Sequence, residues 1–257
     1  MATQRVEVFK FPRTKHLFNA GAGGTGVSRD DLLMDSGQEN MFYTPAQRKQ
    51  GKPATKILVA MEEKVDGANL GISLGENMEI CVQNRSHFVN SQTHRQFSTL
   101  DSWLSEHSGE LYDILDSGKN ILFGEWLYAK HSIHYTRLPG YFMAFDLYSF
   151  KEGKFYSWRE RNRRLKDTTI PVVRQIAETT LSGRDDVRMW LDTPSAFYDG
   201  PCEGVYLRVD EDANYPEGAV VGGPYCKYRG KLVRSDFLQG IEEQWTRQKL
   251  TKNIVRY

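Results

Sequence analysis

From residue 56 onward, short hydrophobic runs alternate with polar positions at the two-residue period of strands. Residues 57–61 (ILVAM) form an apolar run, and Leu70, Ile72 and Leu74 alternate with smaller residues. Gly75-Glu76-Asn77 reads as a hairpin turn, after which Met78, Ile80 and Val82 alternate again. The spacing of Leu100, Trp103, Leu104, Leu111 and Leu115 predicts a helix over 99–115. Further strands are expected at 121–128, 141–150, 171–176, 204–209 and 225–233. Residues 157–166 (SWRERNRRLK) read as a very basic helix, 184–191 as a short helix, and 236–257 as a short C-terminal helix. Strands packed under helices make this an α+β chain. The interlocking signals predict one domain over 1–257, with 1–55 as an N-terminal extension.

Composition narrows the partners. With 39% hydrophobic and 26% charged residues the chain is an ordinary globular protein. A formal net charge of +1 excludes a global basic field, so a nucleic-acid surface would have to be a local patch. Cys81, Cys202 and Cys226 are widely spaced and lack a CxxC pattern, which predicts free thiols in a reducing compartment. No apolar run approaches the roughly 18 residues of a membrane span, and the N-terminus lacks a signal-peptide core. The expectation is an intracellular, cytoplasmic chain with the nucleus as an alternative. The stretch 20–26 (AGAGGTG) lacks the lysine of a phosphate-binding loop and the spacing of a dinucleotide site, so it is expected as a surface loop.

The candidate chemistry centres on Lys64-Val65-Asp66-Gly67. A lysine followed by x-Asp-Gly at a strand–loop–strand junction suits an amine that attacks the α-phosphate of a nucleoside triphosphate. The same four residues also suit a tight turn with a solvated lysine. A lysine nucleophile must be neutral, and at pH 7 only about 0.04% of an unperturbed lysine is free amine. Lowering its pKa by three units costs roughly 4 kcal/mol, so such a site needs added positive charge and carboxylates to place it.

Downstream residues meet that requirement. Glu125 lies among large hydrophobes in FGEWLY, where a carboxylate must be paired or face a cavity. Glu203 opens EGVYLRV, sharing parity with Val205, Leu207 and Val209. A strand over 225–233 puts Lys227, Arg229 and Lys231 on one face, either as solvated edge lysines or around an anion such as a triphosphate. Arg85 follows the hairpin, Phe145 reads as a core aromatic, and the basic helix reads as solvated with RNA backbone contact as the alternative. The six histidines show no metal-ligand spacing.

In order, EKVDGAN, NR, FGEWLY, FMAFDLY, EGVYLR and KYRGKLVR resemble the collinear motifs of the covalent nucleotidyltransferase superfamily. Within it the chain is most similar to the ATP-dependent RNA ligase family of the type that seals nicks in duplex RNA, over roughly residues 60–235. FPRTKHL and VRSDFLQGIEEQW also look like segments that accompany this domain. The resemblance implies an ATP-grasp-like DNA/RNA ligase adenylation domain of antiparallel sheets flanked by helices. It implies that Lys64 forms a lysyl–AMP bond and that Glu63 holds the adenine edge, largely through backbone groups. Asp66 and Gly67 belong with the nucleotide-binding loop, Asn69 contacts phosphate or ribose, and Arg85 contacts ribose or the RNA end. Glu125 binds the ribose hydroxyls or the metal, Glu203 is the main metal-linked carboxylate, and Phe145 stacks on adenine. The last basic pair aligns as Lys227/Arg229 or Arg229/Lys231, the latter continuing the pattern better.

The implied cofactors are ATP and Mg²⁺, with Mn²⁺ as a substitute. The implied partners are 5′-phosphate and 3′-hydroxyl RNA ends, with an accessory RNA-binding protein as a further candidate, and the chain is expected to act as a monomer. About 26 residues follow Lys231, too few for the OB-fold of DNA ligases and capping enzymes. That favours an RNA ligase over a GTP-using capping guanylyltransferase; the other alternative is an RNA-binding protein of the same fold without sealing activity.

Overall fold

The computed structural model describes residues 7–21, 27, 31–45, 56–211, 214–215, 222–239 and 250–256. Two antiparallel sheets carry the fold. In the first, β1 (Lys56–Lys64) lies between β7 (Gln175–Thr180) and β8 (Gly204–Asp210), and β10 (Cys226–Val233) flanks β8. The two-residue β9 (Asn214–Tyr215) pairs with the start of β1. The second sheet runs β3 (Ile80–Gln83), β2 (Ala68–Leu74), β4 (Asn120–Trp126), β5 (Phe142–Ser149) and β6 (Lys154–Phe155). The α+β reading with antiparallel sheets therefore holds.

Each sheet has its own core. Val59 and Met61 of β1 pack with Val205, Leu207 and Leu232 and are covered by Leu17 and Phe42 from the N-terminal part of the chain. On the second sheet, Leu70, Ile72 and Leu122 are covered by Leu100, Trp103 and Leu111 of α2 (Leu100–Ile114). These helix positions recur on one face, so burying them is what holds α2 to the sheet. Between β1 and β2 only Val65-Asp66-Gly67 intervenes, so the chain crosses from one sheet to the other at the lysine motif. A Cβ on Gly67 would stand 2.5 Å from the carbonyl oxygen of Trp126, so this crossing admits no side chain there.

Several elements differ from expectation. Met78 is not a strand residue but the turn residue before β3, with φ of 63°, as Gly75 N–H donates to the Glu79 carbonyl at 2.9 Å. The strand expected at 171–176 is displaced to β7, whose QIAETT is a partly exposed edge with no apolar alternation to announce it. The short helix is α4 (Arg184–Arg188) followed by a 3₁₀ turn. Helix α1 (Ser36–Asn40), started by an Asp35–Gln38 capping box, was not foreseen. The C-terminal segment is helical at α5 (Ser235–Gln239), but 250–256 is extended and bridges at Ala129↔Lys252 and Leu138↔Val255. That is a correction to the helix expected over 236–257, because backbone groups of 250–256 pair with a distant loop instead of with each other. The glycine-rich stretch at 22–26 and residues 46–55 of the extension lie outside the described residues. No described helix is long and apolar enough to cross a membrane.

Candidate active site

Lys64 ends β1, and its Nζ donates to Glu203 Oε2 at 2.7 Å and lies 2.6 Å from Oε1. Glu203 sits just before β8, whose Gly204 pairs with Lys64. The strand register thus fixes the lysine–carboxylate contact across 139 residues of sequence. Burial alone would lower the pKa of Lys64, but Glu203, Glu125 and Asp66 outweigh it and raise the value, so the amine is charged. Burial pushes both Glu203 and Glu125 up to about 7, against the opposing pull of Lys64.

Lys64 opens into a cleft of about 640 Å³, counting space open to solvent. Glu63, Asn69, Arg85, Glu125, Phe145 and Lys231 line it. Asn69 and Glu125 are direct cross-strand partners on β2 and β4, and Glu125 accepts from Gly67 N–H at 3.0 Å. The buried Oδ1 of Asn69 has no hydrogen-bond partner, an orphaned acceptor that a ligand hydroxyl or a water would satisfy. Phe145 presents a ring in the cleft beside Phe11, which meets it edge-on at 5.5 Å. An aromatic face, an orphaned acceptor and cations on one side suit a nucleotide.

A buried charge network holds this wall in place. Arg161 and Arg208 both donate to Glu62, and both also donate to the carbonyl of Phe145, at 2.5 and 2.6 Å. Asp146 accepts from Arg208 and Arg229 at 2.5 and 2.7 Å. Arg161, which sequence reading left on a solvated helix, is 1% exposed: α3 (Trp158–Leu165) turns this arginine inward, while Arg159 pairs with Glu178, and Arg163 and Arg164 pair with Glu160 of the same helix.

The structure separates the three basic residues of β10. Lys231 lines the cleft, its Nζ 3.1 Å from Asp31. Arg229 is held against Asp146, with its guanidinium 3.5 Å from the centre of the Phe155 ring. A bulge between Cys226 and Tyr228 breaks the strand alternation, so Lys227 is exposed and does not line the cleft, which corrects the single-face expectation. Asp66 does not line the cleft either. It accepts from Ser132 N–H at 2.8 Å, and its own N–H donates to Tyr135 at 2.9 Å. Glu63 lines the cleft, but its carboxylate is taken up by Ser195 Oγ at 2.5 Å and Ala196 N–H at 3.2 Å.

Sequence reading missed Tyr135, Ser132, Ser195, Asn253, Asp31 and His16. Tyr135 is buried and is held by the C-terminal segment: Asn253 accepts from Tyr135 N–H at 2.9 Å and donates to the Leu127 and Ala129 carbonyls at 2.8 and 3.2 Å. His16 Nε2 lies 3.1 Å from the Asp31 oxygen that pairs with Lys231, without hydrogen-bond geometry. Burial and the Lys231 charge lower the pKa of His16 to about 4, so it is neutral. None of these residues sits in a pattern that marks it, because each acts through a contact across the fold.

Among the described residues, no cluster of three or more His, Cys, Asp or Glu side chains is arranged around a metal. Mg²⁺ is commonly held by one or two carboxylates with waters and phosphate oxygens, and Glu203 and Glu125 fit that donor set.

A family model described as RNA ligase matches residues 57–229, which spans both carboxylates and the lysine motif. Among solved structures, the chain is similar to Naegleria gruberi RNA ligase. A lysine-to-alanine variant of that enzyme with ATP and Mn is 14% identical, at TM-score 0.53, over 73% of this chain and 52% of that one. A glutamate-to-alanine variant with AMP and Mn is 14% identical, at TM-score 0.57, over 90% and 57%. The chain thus spans just over half the length of these neighbours, and at this identity the likeness is one of fold. No curated protein shows significant sequence similarity to it. The family match covers two thirds of the chain, so the chain belongs to the RNA ligase family.

Proposed function

We propose that the chain is an ATP-dependent RNA ligase that works through a covalent lysyl–AMP intermediate. The observation that carries this reading is that Lys64, paired with Glu203 just outside the lining, faces a cleft it shares with Glu125, Phe145 and Lys231. In the first step, Lys64 loses a proton to solvent and its neutral amine attacks the α-phosphorus of ATP; the N–P bond forms as the bond to pyrophosphate breaks, and a second amine proton is released. In the second, an oxygen of an RNA 5′-phosphate attacks the same phosphorus, the P–N bond breaks, and a 5′–5′ pyrophosphate joins AMP to RNA. In the third, an RNA 3′-hydroxyl attacks the activated 5′-phosphate, leaving a 3′–5′ phosphodiester and free AMP. Each step is an in-line displacement at phosphorus, so one site serves all three.

Phe145 stacks on the adenine, with its backbone held by Arg161 and Arg208. Asn69 satisfies its orphaned oxygen on the ribose–phosphate side, Arg85 reaches the ribose or the RNA end, and Lys231 with Arg229 behind it faces the departing pyrophosphate. Glu203 and Glu125 would hold Mg²⁺ or Mn²⁺, which supplies positive charge beside the α-phosphate. In this reading the chain works as a monomer in a reducing, cytoplasmic setting, which its three free cysteines support, and an accessory RNA-binding protein adds substrate affinity.

Incubating the purified chain with Mg²⁺ and either ATP or GTP, then chasing with 5′-phosphorylated single-stranded RNA, nicked duplex RNA or nicked DNA, tests the reading. ATP-dependent formation of AMP-capped and joined RNA is expected. GTP dependence would make it a capping guanylyltransferase. Absence of any adduct would leave a binding protein.

A further inference from the structure

A second groove, about 970 Å³ counting space open to solvent, lies beside the nucleotide cleft and shares Thr14 with it. It exists because the N-terminal segment is laced to β10. Lys231 N–H donates to the Lys15 carbonyl at 3.0 Å, and Leu17 N–H donates to the Lys231 carbonyl at 2.9 Å. Helix α1 closes the far side, with Gly37, Gln38 and its cap Asp35 in the lining.

The groove has two chemistries. Arg13, Lys15 and Lys227 are on its rim, with Arg229 deeper. Asp35 is its one acid, and that carboxylate already accepts from Gln38 N–H at 2.8 Å to cap α1. Leaving out Arg229, which Asp146 compensates, Arg13, Lys15 and Lys227 still outnumber the one acid of the lining in a chain whose formal net charge is only +1. The remaining lining is apolar and aromatic: Met34, Met41, Phe42 and Tyr228, with Met41 45% exposed.

We propose that this groove binds the RNA strand that carries the 5′-phosphate, with rim cations on the backbone phosphates and the apolar floor under the terminal sugar and base. The inference rests on the ligase reading and extends it to where the RNA lies. In an in-line transfer the incoming 5′-phosphate occupies the side of the α-phosphorus that pyrophosphate has left, opposite Lys64. Thr14 is common to the cleft and the groove, so a strand whose 5′ end enters the cleft continues into the groove. Pyrophosphate alone would use the cations but not the floor. A nucleotide uses both, as single-strand binding sites do by pairing a basic track with stacking surfaces. The sequence expectation for Lys227 is thereby reassigned from ATP to RNA.

The test uses the full chain and a short, fluorescent, 5′-phosphorylated single-stranded RNA. Lys227→Gln should weaken binding several-fold and make the log-affinity against log-salt slope shallower by about 0.7. A merely structural effect would leave that slope unmoved. Met41→Glu should weaken binding at least tenfold by placing an anion on the floor. The rate of lysyl–AMP formation, measured separately with ATP, reports on the nucleotide cleft. Its absence would sink the ligase reading without bearing on RNA affinity. Wild-type chain without affinity for the RNA, or variants with wild-type affinity and slope, would overturn the proposal. So would displacement of the RNA from wild type and both variants alike by low inorganic pyrophosphate, which would assign the groove to the leaving group.

Discussion

Both carboxylate oxygens of Glu203 lie within 2.7 Å of the Lys64 amine. This pair helps keep the Lys64 amine charged, and under the proposed lysyl–AMP chemistry that charge must be given up before reaction. Glu203→Gln removes the largest of the charges that raise the pKa of Lys64, leaving burial opposed only by Glu125 and Asp66, so the value should fall. Lys64 should then react faster with an amine-directed reagent near pH 8, while AMP attachment slows by about 10²-fold or more. Slower reaction in both assays would contradict the pairing account.

Tyr135 connects the C-terminal segment to the lysine loop, as it accepts from Asp66 N–H while its own N–H is held by Asn253. Asn253→Ala leaves the buried Tyr135 N–H and the Leu127 and Ala129 carbonyls without their partner. The expected loss is about 2–4 kcal/mol in urea unfolding, with slower AMP attachment. Tyr135→Phe deletes only the acceptor and should cost about 1–2 kcal/mol. Wild-type unfolding midpoints in both variants would refute the connection.

Arg208 is 1% exposed and serves Glu62, Asp146 and the Phe145 carbonyl at once. Replacing it with Met leaves Glu62 with Arg161 alone and Asp146 with Arg229 alone, one cation fewer on each buried carboxylate, and should cost about 3–5 kcal/mol. Circular dichroism on heating checks this: a melting curve like that of the wild type would show the network to be dispensable.

Asp210 is 4% exposed, neither of its oxygens is hydrogen-bonded, and burial pushes its carboxyl up to about 7. Below about pH 4 both folded and unfolded chains hold this proton. Between about pH 4 and 7 only the folded chain keeps it, so stability falls as pH rises, and the loss is complete above about 7. Asp210→Asn does not titrate. Its melting temperature should exceed that of wild type by several degrees near pH 8, and the gap should close near pH 4. A gap of constant size would contradict the assignment.

How much of this was legible beforehand depends on whether a residue acts locally or across the fold. Lys64, Glu125 and Phe145 stand on strands announced by hydrophobic runs, so their elements could be read, whereas Phe145 alone read as a core aromatic and its cleft role came only from the resemblance. β7 escaped because an exposed edge strand has no buried face to pattern it. Lys227 was misplaced because one extra residue at the Cys226/Tyr228 bulge shifts its facing, and no composition signal marks that insertion. Arg161 looks like its solvated neighbours in WRERNRRL; only the packing of α3 against β5 selects it for burial. The N-terminal strap and the 250–256 latch depend wholly on backbone bonds to distant partners.

The central claim is tested most directly by the intact mass of the chain after incubation with ATP and Mg²⁺, followed by peptide mapping. The account predicts one added AMP, attached to Lys64 through an acid-labile P–N bond, and none on Lys64→Ala. An unmodified wild-type chain, or an adduct that persists in Lys64→Ala, would contradict it.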